Sequence, residues 1–413
     1  MPAVPEHKPS AAHNIYAFGV TSFLNDTASE MAYWVLPAFL ISLGAGPAQL
    51  GLIEGLAESV ASFAKLFSGY LTDRIDRRKP LVVVGYFVAN AVKPVLAVTT
   101  AWWHILLIRF TDRLAKGVRG APRDVMVAES VDKNRLGSAY GLIQSMDSAG
   151  AIAGPLAALV LLARFGIRAV FWAAAVPGAL CILVALFGIR ETRGREATDI
   201  KGGEPEGGEP AKANAPTSPR SAAGTSLPRT FYFVLVAVAL FSLGNSSDMF
   251  LVMRAQNIGI PVALAPLLGL VFNLTYTLGS WPAGWCSDQF SRRGFSRRWI
   301  AAAGYLIFAG VYFMFGRAPS VLAIWITMAV YGLYYALTQP VLKALVVEAV
   351  DQEVRGRALG IYFFVTSVAT LAASLITGEL WKHYGASVPF YFSAGLAVVS
   401  AALLVVRWSR LRA

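Results

Sequence analysis

Residues 69–81 read GYLTDRIDRRKPL, and residues 284–293 read GWCSDQFSRR. Each segment follows a long apolar stretch, begins with glycine, has aspartate four positions later and reaches a pair of arginines. A short basic segment between apolar stretches is typical of a loop that joins two membrane-spanning helices. Because this loop occurs twice, 215 positions apart, it indicates a chain built from two similar halves.

Two further pairs of segments support this repeat. Ser29-Glu30-Met31 corresponds to Ser247-Asp248-Met249, and the positions 129–141 correspond to 348–360. These positions lie 218 and 219 residues apart, close to the 215 that separates the two loops. Parallel repeats of six helices place a substrate site between the halves, near the middle of the membrane, where it opens alternately to either side.

Composition predicts a membrane protein. Hydrophobic residues make up 56% of the 413 residues and charged residues 15%, whereas a soluble domain has about 25% charged residues. Many apolar runs, such as 231–243 and 300–315, extend to the roughly 20 residues that cross a bilayer as a helix. The sequence therefore predicts an all-α membrane protein with twelve transmembrane helices, at about 15–41, 48–71, 81–100, 103–122, 137–162, 168–189, 230–256, 263–286, 298–316, 321–346, 357–380 and 387–407.

The positive charge of the chain lies in alternate loops. The formal net charge is +12, which in a soluble protein would suggest nucleic-acid binding. Here Lys and Arg cluster after the second, fourth, eighth, tenth and twelfth predicted spans, whereas the loop 44–49 has none. Because positive loops remain in the cytoplasm, we expect both termini to be cytoplasmic and no nucleic acid to bind. The polar first 14 residues contain no apolar core of a cleaved signal peptide.

These patterns divide the chain into five parts. A cytoplasmic tail (1–14) precedes the first half (15–190), and a linker (191–228) leads to the second half (229–408) and a short tail (409–413). The linker is rich in Gly, Pro, Ala, Ser and charge, a composition that cannot bury enough apolar surface to fold, so we interpret it as a flexible tether. With two cysteines and four scattered histidines, we expect no disulfide framework, metal site or cofactor.

The first loop resembles the one between spans two and three of the major facilitator superfamily, and the resemblance extends over nearly the whole chain. Residues 113–121 (RLAKGVRGA) resemble that superfamily's span-four motif, with Lys116 where glutamine is usual. Residues 24–40 (LNDTASEMAYWVLPAFL) resemble a widespread bacterial subgroup. The resemblance implies a monomer in the bacterial inner membrane. Three glycines fit the spacing of the span-five antiporter motif, whose closing glycine pair is absent: Gly141, Gly150 and Gly154.

The resemblance also implies that the loop residues form gates. Asp73 would cap the start of span eleven, near 355–358, where a helix N-terminus favours negative charge, and Asp288 would do the same for span five. An alternative for the arginines is that they only set the topology. The predicted gating residues are Gly69, Asp73, Arg74, Arg77, Arg78, Asp288 and Arg292.

Charged residues inside the spans are candidates for function, because a charge at the membrane centre costs about 3 kcal/mol by insertion scales. Burial favours the neutral form of a carboxyl group and a nearby arginine favours its charged form, so a group between these influences can take up and release a proton. We predict proton coupling by Asp26 and Glu30, one turn apart in span one, with Asp112 and Arg113. Arg113 falls on the superfamily's span-four arginine, a position linked to proton coupling. Alternatively, these charges only pair with one another.

The sequence leaves the charge of the substrate open. Arginines and lysines could bind an anion, acidic side chains a cation, and an aromatic wall a bulky apolar compound. The aromatic residues could instead simply pack, and Lys93 could bind backbone carbonyls that the following proline leaves free. The predicted substrate-binding residues are Arg109, Glu54, Lys93, Asp248, Asn273, Tyr276, Tyr334, Tyr335 and Gln339.

Together these features favour a proton-coupled secondary transporter that exports small organic compounds by proton antiport. The first alternative is proton-driven uptake of an organic anion or a siderophore-like chelate, which the Arg and Lys residues favour. A facilitator is disfavoured by the mid-span charge, and a transporter-like sensor would need a signalling domain that is not recognisable. An enzyme is not expected, because we find no glycine-rich phosphate loop, nucleophile elbow or metal cluster.

Overall fold

The structure is a computed structural model, and it describes residues 9–72, 75, 77–131, 136–192, 227–293, 298–317, 320–348, 350 and 355–406. The regular elements of these residues are all helices. The first half contains α1 (Pro9–Tyr33), α2 (Leu36–Ser42), α3 (Pro47–Thr72), α4 (Lys79–Ala91), α5 (Trp102–Glu129), α6 (Leu136–Phe165), α7 (Ile167–Ala173) and α8 (Ala175–Leu183). The second contains α9 (Arg229–Gly244), α10 (Met249–Ile258), α11 (Ala265–Arg292), α12 (Arg298–Arg317), α13 (Val321–Glu348), α14 (Arg355–Tyr384) and α15 (Val388–Val406).

The all-α fold class is confirmed, and several predicted spans prove to be interrupted helices. Span one divides into α1 and α2, and Pro37, the second residue of α2, explains the break because proline has no N–H to donate to the carbonyl of Tyr33, where α1 ends. Span three ends in a 3-10 turn at Pro94–Val98, and span six ends in a π-helix at Val184–Gly188. Span seven divides into α9 and α10, with residues 245–248 between them.

Nine helical stretches in the described part are long and apolar enough to cross a membrane. The predicted spans outside this group are those of α1 with α2, α3 and α5. These helices carry most of the charged residues predicted for proton coupling and substrate binding. Those charged residues lower the mean hydropathy of the helices, and they form the site described below.

Two helix pairs make the most extensive contacts between the described parts of the two halves. α3 packs against α14, and a Cβ atom added to Gly51 would lie only 2.3 Å from the carbonyl oxygen of Ser374. α6 packs against α11, where Asn273 Nδ2 donates to the carbonyl oxygen of Ala151 at 3.0 Å. By the sequence repeat, α3 corresponds to α11 and α14 to α6, so the two contacts are equivalent. This is the arrangement expected of two halves related by a pseudo-two-fold axis.

Among the described residues, the closest contacts between the halves lie at the end of the bundle opposite the start of α1, which we call the distal end. There α2 packs on α10, and a Cβ on Gly378 would lie 2.7 Å from the carbonyl oxygen of Pro47, the first residue of α3. Such close approach of two backbones requires glycine at these positions. The distal end is therefore tightly packed between the halves.

Candidate functional site

Two ion pairs form a ladder between α3 and α5, which run side by side. Arg109 Nε and Nη2 donate to the two carboxylate oxygens of Glu54 at 2.8 and 2.9 Å, and Arg113 Nη2 lies 3.3 Å from Glu58 Oε1. Both acids and both arginines are one helical turn apart, so the parallel helices present matching charges. Glu54 is 1% exposed, and such burial requires a bidentate partner of this kind.

A second polar group extends from the ladder towards α1. Lys93 Nζ donates to Asn90 Oδ1 at 2.9 Å and lies 4.0 Å from Asp112 Oδ1. Asn90 Nδ2 donates to Asn25 Oδ1 at 3.3 Å, and Asn25 Nδ2 donates to Asp26 Oδ1 at 2.9 Å. Lys93 therefore bonds side chains rather than the backbone carbonyls that its neighbouring proline suggested. This network connects α5 through α4 to α1.

Asp26 and Glu30 lie where α1 packs against α6. A Cβ on Gly150 would lie 3.1 Å from Asp26 Cβ, and one on Gly154 would lie 2.9 Å from Glu30 Cβ, so the span-five glycines let α6 approach these acids. Glu30 Oε2 accepts a hydrogen bond from Trp34 Nε1 at 2.7 Å. Among the residues described, no Lys, Arg or His nitrogen lies within 4.0 Å of either carboxylate.

The proximity of Arg113 to these acids was expected from the sequence, but its ion-pair partner is Glu58. Arg113 nevertheless lines the same cavity as Asp26 and Glu30. A second, adjoining cavity lies nearer the start of α1. Charged residues of α3 and α5 line it, among them Glu58, Lys65, Arg123 and Asp124. Five residues line both cavities: Asn25, Asp26, Arg113, Lys116 and Arg119.

Asp248 is the acidic counterpart in the second half. Tyr331 Oη donates to Asp248 Oδ1 at 2.6 Å, and Tyr335 Oη donates to the same atom at 3.4 Å. The adjacent Ser247 donates through Oγ to Glu54 Oε2 at 3.2 Å, so the break between α9 and α10 contacts the ladder of the first half. This hydrogen bond joins the polar groups of the two halves.

Other predicted residues have different surroundings. Glu54 occupies the Nε and Nη2 atoms of Arg109, and Nη1 lies 3.8 Å from Asp112 Oδ2, so these two acids leave Arg109 little capacity to bind an anion. Asn273 bonds α6 across the interface. Tyr334 is 2% exposed and packs against Phe308 behind Tyr331, which does not support a direct contact with substrate.

The gating residues are only partly described. Arg78 forms an ion pair with Glu129, and its backbone N–H donates to Glu191 Oε1 at 2.9 Å, so it ties together elements of its own half. Arg77 is exposed, and Gly69 lies in α3 with Ala121 Cβ 4.0 Å from an added Cβ. Several predictions fall outside the described residues or their side chains: Asp73, Arg74, Asp288, Arg292 and Gln339.

Several contributors to the site were not predicted as site residues, among them Glu58, Ser247 and Tyr331. The signal for Glu58 was present, because its spacing from Glu54 equals the spacing of Arg109 and Arg113. Ser247 adjoins Asp248 in the repeated segment and Tyr331 lies one turn before Tyr335, so their signals were weaker. Within the described part of the chain, no three His, Cys, Asp or Glu side chains are grouped so that they could hold a metal ion.

The sequence matches the Major Facilitator Superfamily over residues 18–255 and 233–412. The chain belongs to this superfamily. The uncharacterized MFS-type transporter MJ1317 of Methanocaldococcus jannaschii is 31% identical over 412 residues, which cover 97% of this chain and 96% of that protein. The multidrug resistance protein MdtG of Escherichia coli is 29% identical over 184 residues, 43% of this chain and 44% of MdtG.

A solved structure of the superfamily fold agrees with this membership. The crystal structure of a mutant of the peptide transporter POT in complex with sulfate superimposes with a TM-score of 0.76 at 13% identity, covering 96% of this chain and 94% of that one. At this identity the similarity establishes the fold alone. The superfamily match and the fold identify a multi-pass membrane transporter whose partners are a small-molecule substrate and the lipid bilayer.

Proposed function

We propose that the chain is a proton-coupled secondary transporter that exports small organic compounds in exchange for protons. The observation that carries this proposal is a contrast among the buried acids. Glu54, Glu58 and Asp112 each have a cationic partner within 4.0 Å, whereas Asp26 and Glu30 line a cavity without one among the described residues.

This contrast separates structural acids from acids that can exchange protons. A carboxylate beside a guanidinium keeps its charge, because neutralising it would leave the cation uncompensated. A carboxylate without such a partner can change charge with proton occupancy. Asp26 and Glu30 are one turn apart, so the charge on one opposes ionisation of the other, and together they are suited to carry a proton.

The geometry supports alternating access. Within the described part of the chain, the closest contacts between the halves are at the distal end, and the cavity around Lys65 and Arg123 lies towards the start of α1. If the termini are cytoplasmic, as the positive loops predict, this cavity faces the cytoplasm, and a compound to be exported enters from that side. Protons act as the coupling ion, and we expect a monomer without other cofactors.

Export is favoured by two further observations. The span-five glycines, Gly150 and Gly154, pack α6 directly against the acids of α1. MdtG, a relative that aligns with 43% of this chain, is named a multidrug resistance protein. Both observations agree with antiport, in which this pair of acids releases its proton in exchange for the exported compound.

The test measures lumenal pH in proteoliposomes under an imposed proton gradient, while organic cations, anions and chelates are added in turn. We expect one chemical class to discharge the gradient, and Asp26→Asn or Glu30→Gln to abolish this response in protein that remains folded. Glu379→Gln, which alters an exposed acid paired with His383, is the matched control and should behave as the wild type. Unchanged proton flux in both α1 variants would contradict the proposal, and substrate equilibration without proton movement would indicate a facilitator.

A second candidate is proton-driven uptake of an organic anion. It is favoured by Lys116 and Arg119, which line both cavities and have no ion-pair partner within the described residues. Arg119 is 5% exposed, and its Nη1 atom lacks a hydrogen-bond partner there. In the same assay this function would appear as protons entering together with an added anion.

A further inference from the structure

The carboxylate of Asp248 is only half satisfied. Both hydroxyl groups that reach it, those of Tyr331 and Tyr335, donate to Oδ1. In the described part of the chain, Oδ2 has no recorded donor, and no Lys, Arg or His nitrogen lies within 4.0 Å of the group. One oxygen of a charged group therefore remains available to a positively charged donor.

Further aromatic rings adjoin the two tyrosines that bind this carboxylate. Phe272 of α11 lies 5.5 Å from Tyr331 and 5.2 Å from Tyr335, measured between ring centroids. Tyr276 stacks on Phe272 at 6.2 Å and lies 6.1 Å from Tyr335. The face of an aromatic ring attracts cations, and a cage of such rings is a recurring site for alkylated ammonium groups. A carboxylate at its edge adds attraction for a cation and repels an anion.

The site lies between the halves. Asp248, Tyr276 and Tyr335 are half-buried and retain some exposed surface, whereas Phe272 is buried. Phe272 also contacts the ring of Trp34 in α1 at 6.2 Å, and the Trp34 indole N–H is the donor to Glu30. Phe272, Tyr276 and Tyr335 form an aromatic cage, and only the side chain of Trp34 separates it from Glu30, an acid that we propose to carry the proton.

We propose that Asp248, together with Phe272, Tyr276 and Tyr335, binds the cationic ammonium group of the transported compound. This inference rests on the proposed function and specifies its substrate class as organic cations with an apolar body. The tyrosine hydroxyls hold Oδ1 and orient the rings, while Oδ2 and the ring faces contact the ammonium group. Exchange of one such cation for one proton moves no net charge.

The test is isothermal titration of the purified full-length protein in detergent with benzyltrimethylammonium, and with benzenesulfonate as the probe of opposite charge. We expect the cation to bind and the sulfonate not to bind. Asp248→Asn should weaken binding of the cation by about tenfold or more, and Tyr335→Leu by a few-fold to about tenfold. Asp248→Glu keeps the charge and should retain binding within a few-fold, and Glu379→Gln should bind as the wild type does.

Wild-type affinity in folded Asp248→Asn, absence of cation binding, or equal binding of the sulfonate would overturn the inference. Size-exclusion and thermal unfolding profiles establish that each variant is folded. The titration needs no proton gradient, so it is independent of the proposed antiport. Asp26→Asn and Glu30→Gln should keep binding the cation while losing proton flux. Cation binding through Asp248 without any proton flux would contradict the antiport and leave this inference standing.

Discussion

Single residues in the ladder show how charge is kept inside this transporter. Glu54 accepts two hydrogen bonds from Arg109 and a third from Ser247, so both of its oxygens are occupied. The attraction within such a pair offsets the cost of taking both groups out of water, but removing one partner leaves the other buried without compensation. The pair is therefore sensitive to single substitutions and tolerant of a matched double one.

We predict that Glu54→Gln lowers the free energy of unfolding by about 3–5 kcal/mol, because the buried Arg109 loses its bidentate partner and keeps only Asp112, whose Oδ2 lies 3.8 Å from Arg109 Nη1. Thermal unfolding of the purified protein in detergent measures this loss. The double variant Glu54→Gln with Arg109→Gln should lose clearly less than the sum of the two single variants, since neither charge remains. Additive losses in this cycle would show that the two side chains do not interact.

The sequence identified the acids and bases of this region but not their pairing. Spacing along one helix reveals which residues share a face, and this sufficed for Arg109 and Arg113. It does not reveal which neighbouring helix that face meets, so the sequence did not show that Arg113 forms an ion pair with Glu58. Partners in a membrane bundle depend on helix packing, which one sequence does not specify.

At the scale of elements, hydropathy predicted where helices lie better than where they break. The starts of α12 and α13 agree with the predicted spans that begin at 298 and 321. In contrast, α5 continues through Pro122 to Glu129, past the predicted end at 122. The charged Arg123 and Asp124, which line a cavity, ended the apolar stretch from which that boundary was predicted. The break between α9 and α10 was missed because a hydropathy average over about 20 residues hides four polar positions.

Glycine contacts between α3 and α14 give a second prediction. In Gly51→Ala the new methyl group would lie 2.3 Å from the Ser374 carbonyl oxygen, so the helices must separate. We expect a longer and broader distance between spin labels placed at the exposed Ile41 and Val262 of the distal end, measured by double electron–electron resonance. Gly360→Ala in α14 is the control, because its added Cβ contacts nothing within 4 Å.

The labelling requires a background without reactive cysteines, in which Cys181 and Cys286 are replaced by serine. An unchanged distance distribution in Gly51→Ala would mean that this contact does not hold the distal end together. A change of equal size in Gly360→Ala would mean that any added methyl group in these helices perturbs the bundle.

At the scale of the whole molecule, the two halves are joined by paired helices and by one long connection. The contacts of α3 with α14 and of α6 with α11 already hold the halves together. The connection, predicted from its composition to be a flexible tether, then has only to span the distance between them. Loop length costs little free energy once the ends are held by other contacts.

We therefore predict that replacing residues 193–226 with Gly and Ser at the same length leaves the transport rate in proteoliposomes within about twofold of the wild type. A companion variant keeps the charged residues of this segment and replaces only the others. If the first variant has a much lower transport rate and the second transports at the wild-type rate, the charges of this segment have a role. That result would contradict the tether interpretation.

The ladder between α3 and α5 also has an electrical consequence. Each of its ion pairs joins a carboxylate to a guanidinium. When the first half moves during transport, an ion pair therefore carries no net charge through the membrane potential. Moving one elementary charge through a potential of about 100 mV changes the energy by roughly 2.3 kcal/mol. The ladder contributes nothing to that energy, and the voltage sensitivity of the empty transporter is left to side chains outside it, Asp26, Glu30 and Asp248 among them.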